Sequence, residues 1–125
     1  MLKYITEAEY RELLGVNSIP DNFNNLVIDV SAYLNLRTRG RIDIDYIPNE
    51  VKYVTALLTQ KKAEAESKKV EMGNLKSQNI EGWSESYMTP EEIDKKFKDE
   101  MSDIIRNHLW NVIGKDGQLL LYCGV

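Results

Sequence analysis

Apolar residues recur along this chain mostly at helical spacing, and they divide it into four helices, a polar loop and a short terminal strand. The first helix is expected over about residues 6–14. Thr6 and Glu9 have the T-x-x-E spacing of a capping box, in which each side chain satisfies the other's backbone N–H. Tyr10, Leu13 and Leu14 share a face, and Gly15 supplies a left-handed stop. The second helix is expected over about 21–37. Phe23, Val27, Val30 and Leu34 make an apolar stripe that Leu26, Tyr33 and Leu36 widen, so burial on more than one side is expected. After Arg37-Thr38-Arg39-Gly40-Arg41, residues 42–47 alternate apolar and acidic. That period of two predicts a short extended segment with Ile42, Ile44 and Tyr46 turned inward.

A third helix opens at Pro48 and is expected to about residue 71. Val51, Val54, Leu57 and Leu58 form its apolar face. Beyond Leu58 the stripe fades although helix formers continue, and Glu64 and Lys68 stand at the favourable i,i+4 spacing. Such a helix is about 36 Å long and outreaches a small core, so its second half should project. Residues 73–88 form a polar loop with Ile80, Trp83 and Tyr87 set into it; so long a loop in a compact domain calls for a function. The fourth helix is expected over about 90–113. Thr89 caps it, Pro90 is its first residue and Glu92 completes a second T-x-x-E box. Ile93, Phe97, Met101, Ile104 and Ile105 make its core face, extended by Leu109 and Val112. Gly114 stops it, Asp116-Gly117 signals a turn, and residues 118–123 read as a strand apolar on both faces. The expected fold is mainly α: a single small four-helix domain with a long polar loop and a short C-terminal β-strand.

Composition narrows the function. At 125 residues the chain fits one domain with a core of its own. Sixteen basic against twenty acidic residues give a net charge of -4, the wrong sign for a protein that gains its affinity by neutralising phosphates. Cys123 is the only cysteine, which excludes an internal disulfide and a cysteine-based metal cluster within one chain. No run approaches the roughly 18 apolar residues of a membrane span, and Met1-Leu2-Lys3-Tyr4 lacks the apolar core of a signal peptide, so a start in the cytosol is expected.

Catalytic patterns find little support. There is no Gly-rich phosphate loop, G-x-S-x-G elbow or H-x-x-E-type metal motif. His108 lies among apolar residues and is expected to pack or cap rather than act as a base. Asp43 and Asp45 would point the same way on a strand and could hold a divalent cation; the plainer reading is the wet side of a half-buried strand. No enzyme, metal site or cofactor is expected. Arg37, Arg39 and Arg41 suit either a phosphate or carboxylate partner or a solvated helix end, and a small helical nucleic-acid-binding module using them is the alternative function. With Lys61, Lys62 and Lys68 they are candidates for a polar interface or the wall of a DNA channel. Ile80, Trp83 and Tyr87 resemble an interface anchor set, as do Leu119, Leu121, Tyr122 and Val125 in the tail.

The order of these pieces resembles the head–tail connector proteins, of the adaptor or head-completion type, of long-tailed bacteriophages. The likeness is carried by the short capped helix ending at Tyr10 to Gly15, by Val30-Ser31-Ala32-Tyr33-Leu34 in the second helix and by Ile47-Pro48-Asn49-Glu50-Val51 opening the third. It continues in the loop Asn79-Ile80-Glu81-Gly82-Trp83-Ser84-Glu85-Ser86-Tyr87 and the ending Tyr122-Cys123-Gly124-Val125, and so covers nearly the whole chain. The resemblance implies a mainly α-helical structural protein of the virion, made in the host cytoplasm. It implies a homo-oligomeric ring, often dodecameric, beneath the portal protein, which extends the DNA channel and docks the stopper or tail-completion protein. DNA would pass through without specific binding, which agrees with an acidic total, and no membrane would be involved. A closed ring needs two different complementary faces on each subunit. The projecting third helix, the aromatic loop and the tail are the segments expected to supply them.

Overall fold

The computed structural model describes residues 2–77 and 90–121, with side chains for 2–68 and 91–121. Four helices make the fold: α1 (Glu7–Leu14), α2 (Phe23–Arg37), α3 (Asn49–Ser77) and α4 (Pro90–Leu109). It is mainly α, as the periodicity requires. None of the helices is long and apolar enough to cross a membrane, among the described residues.

Local signals hold where they are strongest. Thr6 Oγ1 accepts from the Glu9 amide at 3.2 Å, and Glu9 Oε1 accepts from the Thr6 amide at 3.0 Å, closing the capping box. Gly15 ends α1 at φ 65°, where a side chain would strain the backbone. The second oxygen of Glu9 accepts from Lys52 Nζ on α3 at 2.6 Å, and that hydrogen bond, foremost, holds the Glu9 carboxyl below its ordinary value. One residue therefore both caps α1 and ties it to α3. In α2 the stripe Phe23, Leu26, Val27, Val30 and Leu34 is buried, but Leu36 points out and is 74% exposed. The helix begins two residues later than expected, because Asn22 takes a left-handed φ of 66°.

α3 is the axis of the domain; α1, α2 and α4 each pack on it. Val51, Val54 and Leu58 join a core with Val30 and Leu34 of α2 and Met101, Ile105 and Leu109 of α4. Ala56 faces a second cluster with Tyr10 of α1 and Phe23 and Val27 of α2. Thr55 and Thr59 are fully buried, and their hydroxyls donate at 2.7 Å to the carbonyls of Val51 and Thr55 one turn back. Small residues here let neighbours approach on several sides. The stripe fades where that cover thins: between Thr59 and Lys68 only Ala65 is buried.

α3 runs on to Ser77, so residues 73–77, expected as loop, are helical. A lone glycine costs only about 1 kcal/mol inside a helix, and Gly73 sits among good helix formers. The rest of the expected loop lies outside the described residues. α4 lies antiparallel to α3: Tyr53 meets His108, Lys61 meets Glu100, and Ala65 packs with Ile93 and Phe97. The second half of α3 is thus accompanied by α4 as far as Lys68, and only its last turns run on beyond that cleft.

Two expected extended segments are turns. Within residues 42–47, Asp43 Oδ1 accepts from the Asp45 amide at 2.9 Å and the Asp43 carbonyl from the Tyr46 amide at 3.2 Å. Only Ile42 is buried; Ile44 is 63% and Tyr46 80% exposed. An aspartate that bonds its own backbone competes with a strand, and among the described residues no strand lies alongside to favour the ladder. At the C-terminus, α4 stops at Leu109 rather than 113. The expected strand 118–123 is reduced, among the described residues, to one antiparallel bridge between Ile113 and Leu119. The amides of Gly114 and Leu120 donate to the carbonyls of Gln118 and Val112 at 2.7 and 2.8 Å, around a turn at Gly117 (φ 80°). The turn at Asp116-Gly117 sits too close to the helix end for a longer ladder.

Tyr4 marks a cost in the core. Its amide donates to Ser31 Oγ at 3.1 Å, but its hydroxyl is buried with no hydrogen-bond partner among the described residues. Burial pushes the phenol up to about 12 and raises Tyr10 as well. An unfolded phenol ionises near pH 10. The folded protein therefore holds the Tyr4 proton that the unfolded chain has already released, and stability is intact below pH 10 and falls as pH rises toward 12. Leaving a buried hydroxyl unpaired costs about 1–3 kcal/mol. Urea melts should accordingly show Tyr4→Phe as stable as the parent or about 1 kcal/mol more stable at pH 7. Above pH 10 the variant should lose stability less steeply than the parent.

Candidate interface at one end of the helical core

The end of α2 is built to turn the chain sharply. Thr38 is fully buried and its hydroxyl donates to the Leu34 carbonyl at 2.8 Å. Arg39 (φ 54°) and Gly40 (φ 73°) are both left-handed, and the Gly40 amide donates to the Asn35 carbonyl at 2.9 Å. Left-handed backbone is uncommon for a bulky residue such as Arg39 and needs surrounding structure to hold it.

That turn carries Arg41 onto the C-terminal segment. Arg41 Nε meets Asp116 Oδ2 at 3.2 Å, and its Nη1 donates to the carbonyls of Leu119 and Leu120 at 3.2 and 3.5 Å. The Lys115 amide donates back to the Arg41 carbonyl at 2.9 Å. Gly114 makes the approach possible, since a Cβ there would lie 2.7 Å from the Arg41 Cβ and 2.8 Å from its carbonyl oxygen. The Asp116 carboxyl is held below its ordinary value by the Gln118 amide first and by Arg41 second. Loop 38–42 and turn 112–120 therefore form one clasp. Beside it the Tyr53 ring meets His108 edge to face, with centroids 5.5 Å apart, joining the start of α3 to the end of α4.

The large apolar side chains left exposed lie on the segments that meet here. They are Leu36, Ile44, Tyr46, Tyr53, Trp110, Ile113 and Leu119; among the residues whose side chains are described, segments 2–35, 54–68 and 91–109 contribute none. Trp110 is 63% and Ile113 62% exposed, and Ile113 bridges Leu119. Exposed apolar side chains on segments that the clasp and the Ile113–Leu119 bridge hold together suit a surface for a partner.

The sequence-derived candidates fall unevenly on this frame. Leu119 belongs to the exposed end, while Leu121 packs partly against its own core. Ile80, Trp83, Tyr87, Tyr122 and Val125 lie outside the described residues. Of the arginines, Arg41 serves the clasp and Arg37 donates to the Tyr33 hydroxyl at 2.8 Å and lies over that ring. Arg39 alone of the three is exposed. Of the lysines, Lys61 and Lys68 line the same α3–α4 cleft, where Lys61 turns to Glu64 and Glu100 at 3.9 and 3.8 Å, while Lys62 turns to Asp29 at 3.9 Å. Surface pairs this long contribute little to stability. His108 is exposed rather than packed in the core. Asp43 is engaged in its own turn, and no group of three or more His, Cys, Asp or Glu is placed to hold a metal among the described residues.

Sequence reasoning missed Trp110, Ile113, Leu36, Ile44 and Tyr46 as surface residues. Trp110 and Ile113 had a usable signal, since both fall off the Ile105–Leu109–Val112 stripe. No protein-family model, no curated protein and no solved structure matches this chain.

The clasp leads to two expectations. Arg41→Ala should cost about 1–3 kcal/mol and speed hydrogen exchange at the Gly114 and Leu120 amides, while the α3 amides near Leu58 remain protected. Gly114→Ala should cost a similar amount by forcing loop 38–42 away, and calorimetry would detect the lowered Tm.

Proposed function

We propose that this chain is a non-catalytic structural subunit of a tailed-bacteriophage head–tail connector, working as one copy in a ring beneath the portal. The ring would extend the DNA channel and present a docking surface for the stopper or tail. The observation that carries this reading is the exposed apolar end. A domain that already buries its core between α3 and its neighbours has no need of Trp110, Ile113, Leu119, Ile44 and Tyr46 on its surface, and a subunit that must bind its neighbours does. The resemblance of the segments around Tyr10–Gly15, Val30–Leu34 and Ile47–Val51 to connector proteins supports the same reading, and the described part of each lies in a helix or at its boundary. The net charge of -4 suits a channel through which DNA slides.

The alternative, a nucleic-acid-binding module, draws on three arginines of which Arg41 is committed to Asp116 and two carbonyls and Arg37 to Tyr33. The chain should therefore not retard DNA even at low salt.

Co-expression with the portal protein of the same phage, followed by electron microscopy, tests the connector reading directly. A ring of this chain seated on the portal is expected; a bare portal sinks the proposal. Trp110→Ser with Ile113→Ser should prevent the ring from forming while leaving the melting temperature within a few degrees of the parent, since both side chains are mostly in water.

A further inference from the structure

We infer that the exposed apolar end receives residues 78–89 of a neighbouring copy, so that subunits join head to tail. The inference rests on the ring reading and names the contact that would close it.

Chain length excludes the same contact within one copy. The twelve residues 78–89 are anchored at Ser77 and Pro90. Ser77 lies about 36 Å along α3 from Tyr53, and Pro90 about 28 Å along α4 from Leu109. A fully extended chain covers at most about 3.6 Å per residue. Trp83 can stand no more than about 22 Å from Ser77, and Tyr87 no more than about 11 Å from Pro90. Both fall short of their own apolar end by more than about 10 Å, and Ile80 falls shorter still.

Composition says what the segment would seek. Ile80, Trp83 and Tyr87 are large anchors among small polar residues, suited to an apolar surface already lined by Trp110, Ile113 and Leu119. Charge selects the side. Glu81 and Glu85 flank Trp83 in sequence. Arg39 and Lys115 stand exposed on the two segments of the clasp, while the exposed Asp45 and Glu50 lie on the stretch leading into α3. Trp83 would therefore seat beside Ile113 and Leu119, with its two glutamates toward Arg39 and Lys115. Ser77 and Pro90, which anchor the donated segment, lie at the opposite end of the α3–α4 pair from the receiving surface. The contact is thus heterologous, the kind that closes into a ring when the rotation between copies permits.

Paired cysteines test this. In a Cys123→Ser background, Trp83→Cys is made in one preparation and Ile113→Cys in another, and the two are mixed under mild oxidation. A disulfide needs Cα atoms within about 7 Å, so only a true neighbour pair will cross-link well. A mixed dimer several-fold in excess of either homodimer is expected, and Glu12→Cys in place of Ile113→Cys should abolish the excess. Adding Glu81→Lys and Glu85→Lys should reduce it, most of all at low salt. Should Trp83→Cys fail to fold, Tyr87→Cys takes its place. Dominant Ile113→Cys homodimers would overturn the inference in favour of a two-fold dimer, and cross-linking no better than the Glu12→Cys control would overturn it outright. A ring on the portal without the 83–113 cross-link removes this contact and leaves the connector reading standing; absence of both removes both.

Discussion

The fold depends on one helix being covered on several sides over two turns. Between Val51 and Thr59, α3 must accept α1, α2 and α4 at once, and α1, α2 and α4 each bury their apolar face chiefly against it. This fixes what the segment can be made of. Large residues on every side would hold the partners apart, and polar residues would need partners of their own. Thr55, Ala56 and Thr59 meet both demands, because they are small and the threonine hydroxyls are satisfied by carbonyls of the same helix. Each aliphatic side chain fully buried around them contributes about 1.5–3 kcal/mol.

Polar satisfaction then accounts for most of the remaining detail. Ser31 receives the Tyr4 amide, Thr38 closes the end of α2, and Glu9 links the cap of α1 to Lys52. The Tyr4 hydroxyl is the exception. It is the one side-chain polar atom among the described residues that is buried without a partner, and the ring around it is well packed, so its hydrophobic contribution outweighs the desolvation of one hydroxyl.

The same bookkeeping explains why the apolar end is firm enough to serve as a surface. Arg41 sits in the core-side loop, yet its guanidinium holds the carbonyls of Leu119 and Leu120 and the carboxylate of Asp116. Leu120 is buried beneath that clasp while Ile113 and Leu119 remain outside it. A turn held from two sides presents its exposed side chains in a defined arrangement, which lowers the ordering cost of binding. The ring proposed for this chain would need that property more than affinity at any single contact, because each subunit of a ring meets two neighbours at a set angle.

Short-range chemistry made much of this protein legible in its sequence. The capping box at Thr6 and Glu9, the stop at Gly15, the stripe of α2 and the core face of α4 all involve residues within a few positions of one another, and the structure holds them as the pattern requires. The candidate surface was legible only in Leu119. What the sequence could not decide were the matters that depend on a distant partner. Residues 42–47 alternate like a strand but have no strand to pair with among the described residues, so Asp43 takes them into a turn and Ile44 and Tyr46 are exposed. Arg41 looked like part of a basic run until residues 75 to 79 positions away supplied its acceptors. Leu36 sits at a helical spacing that would bury it if α2 were covered more widely, and only the packing of α2 on α3 leaves it outside. Periodicity reports which faces are apolar; the tertiary structure alone decides which of those faces find cover, because cover comes from elements far along the chain.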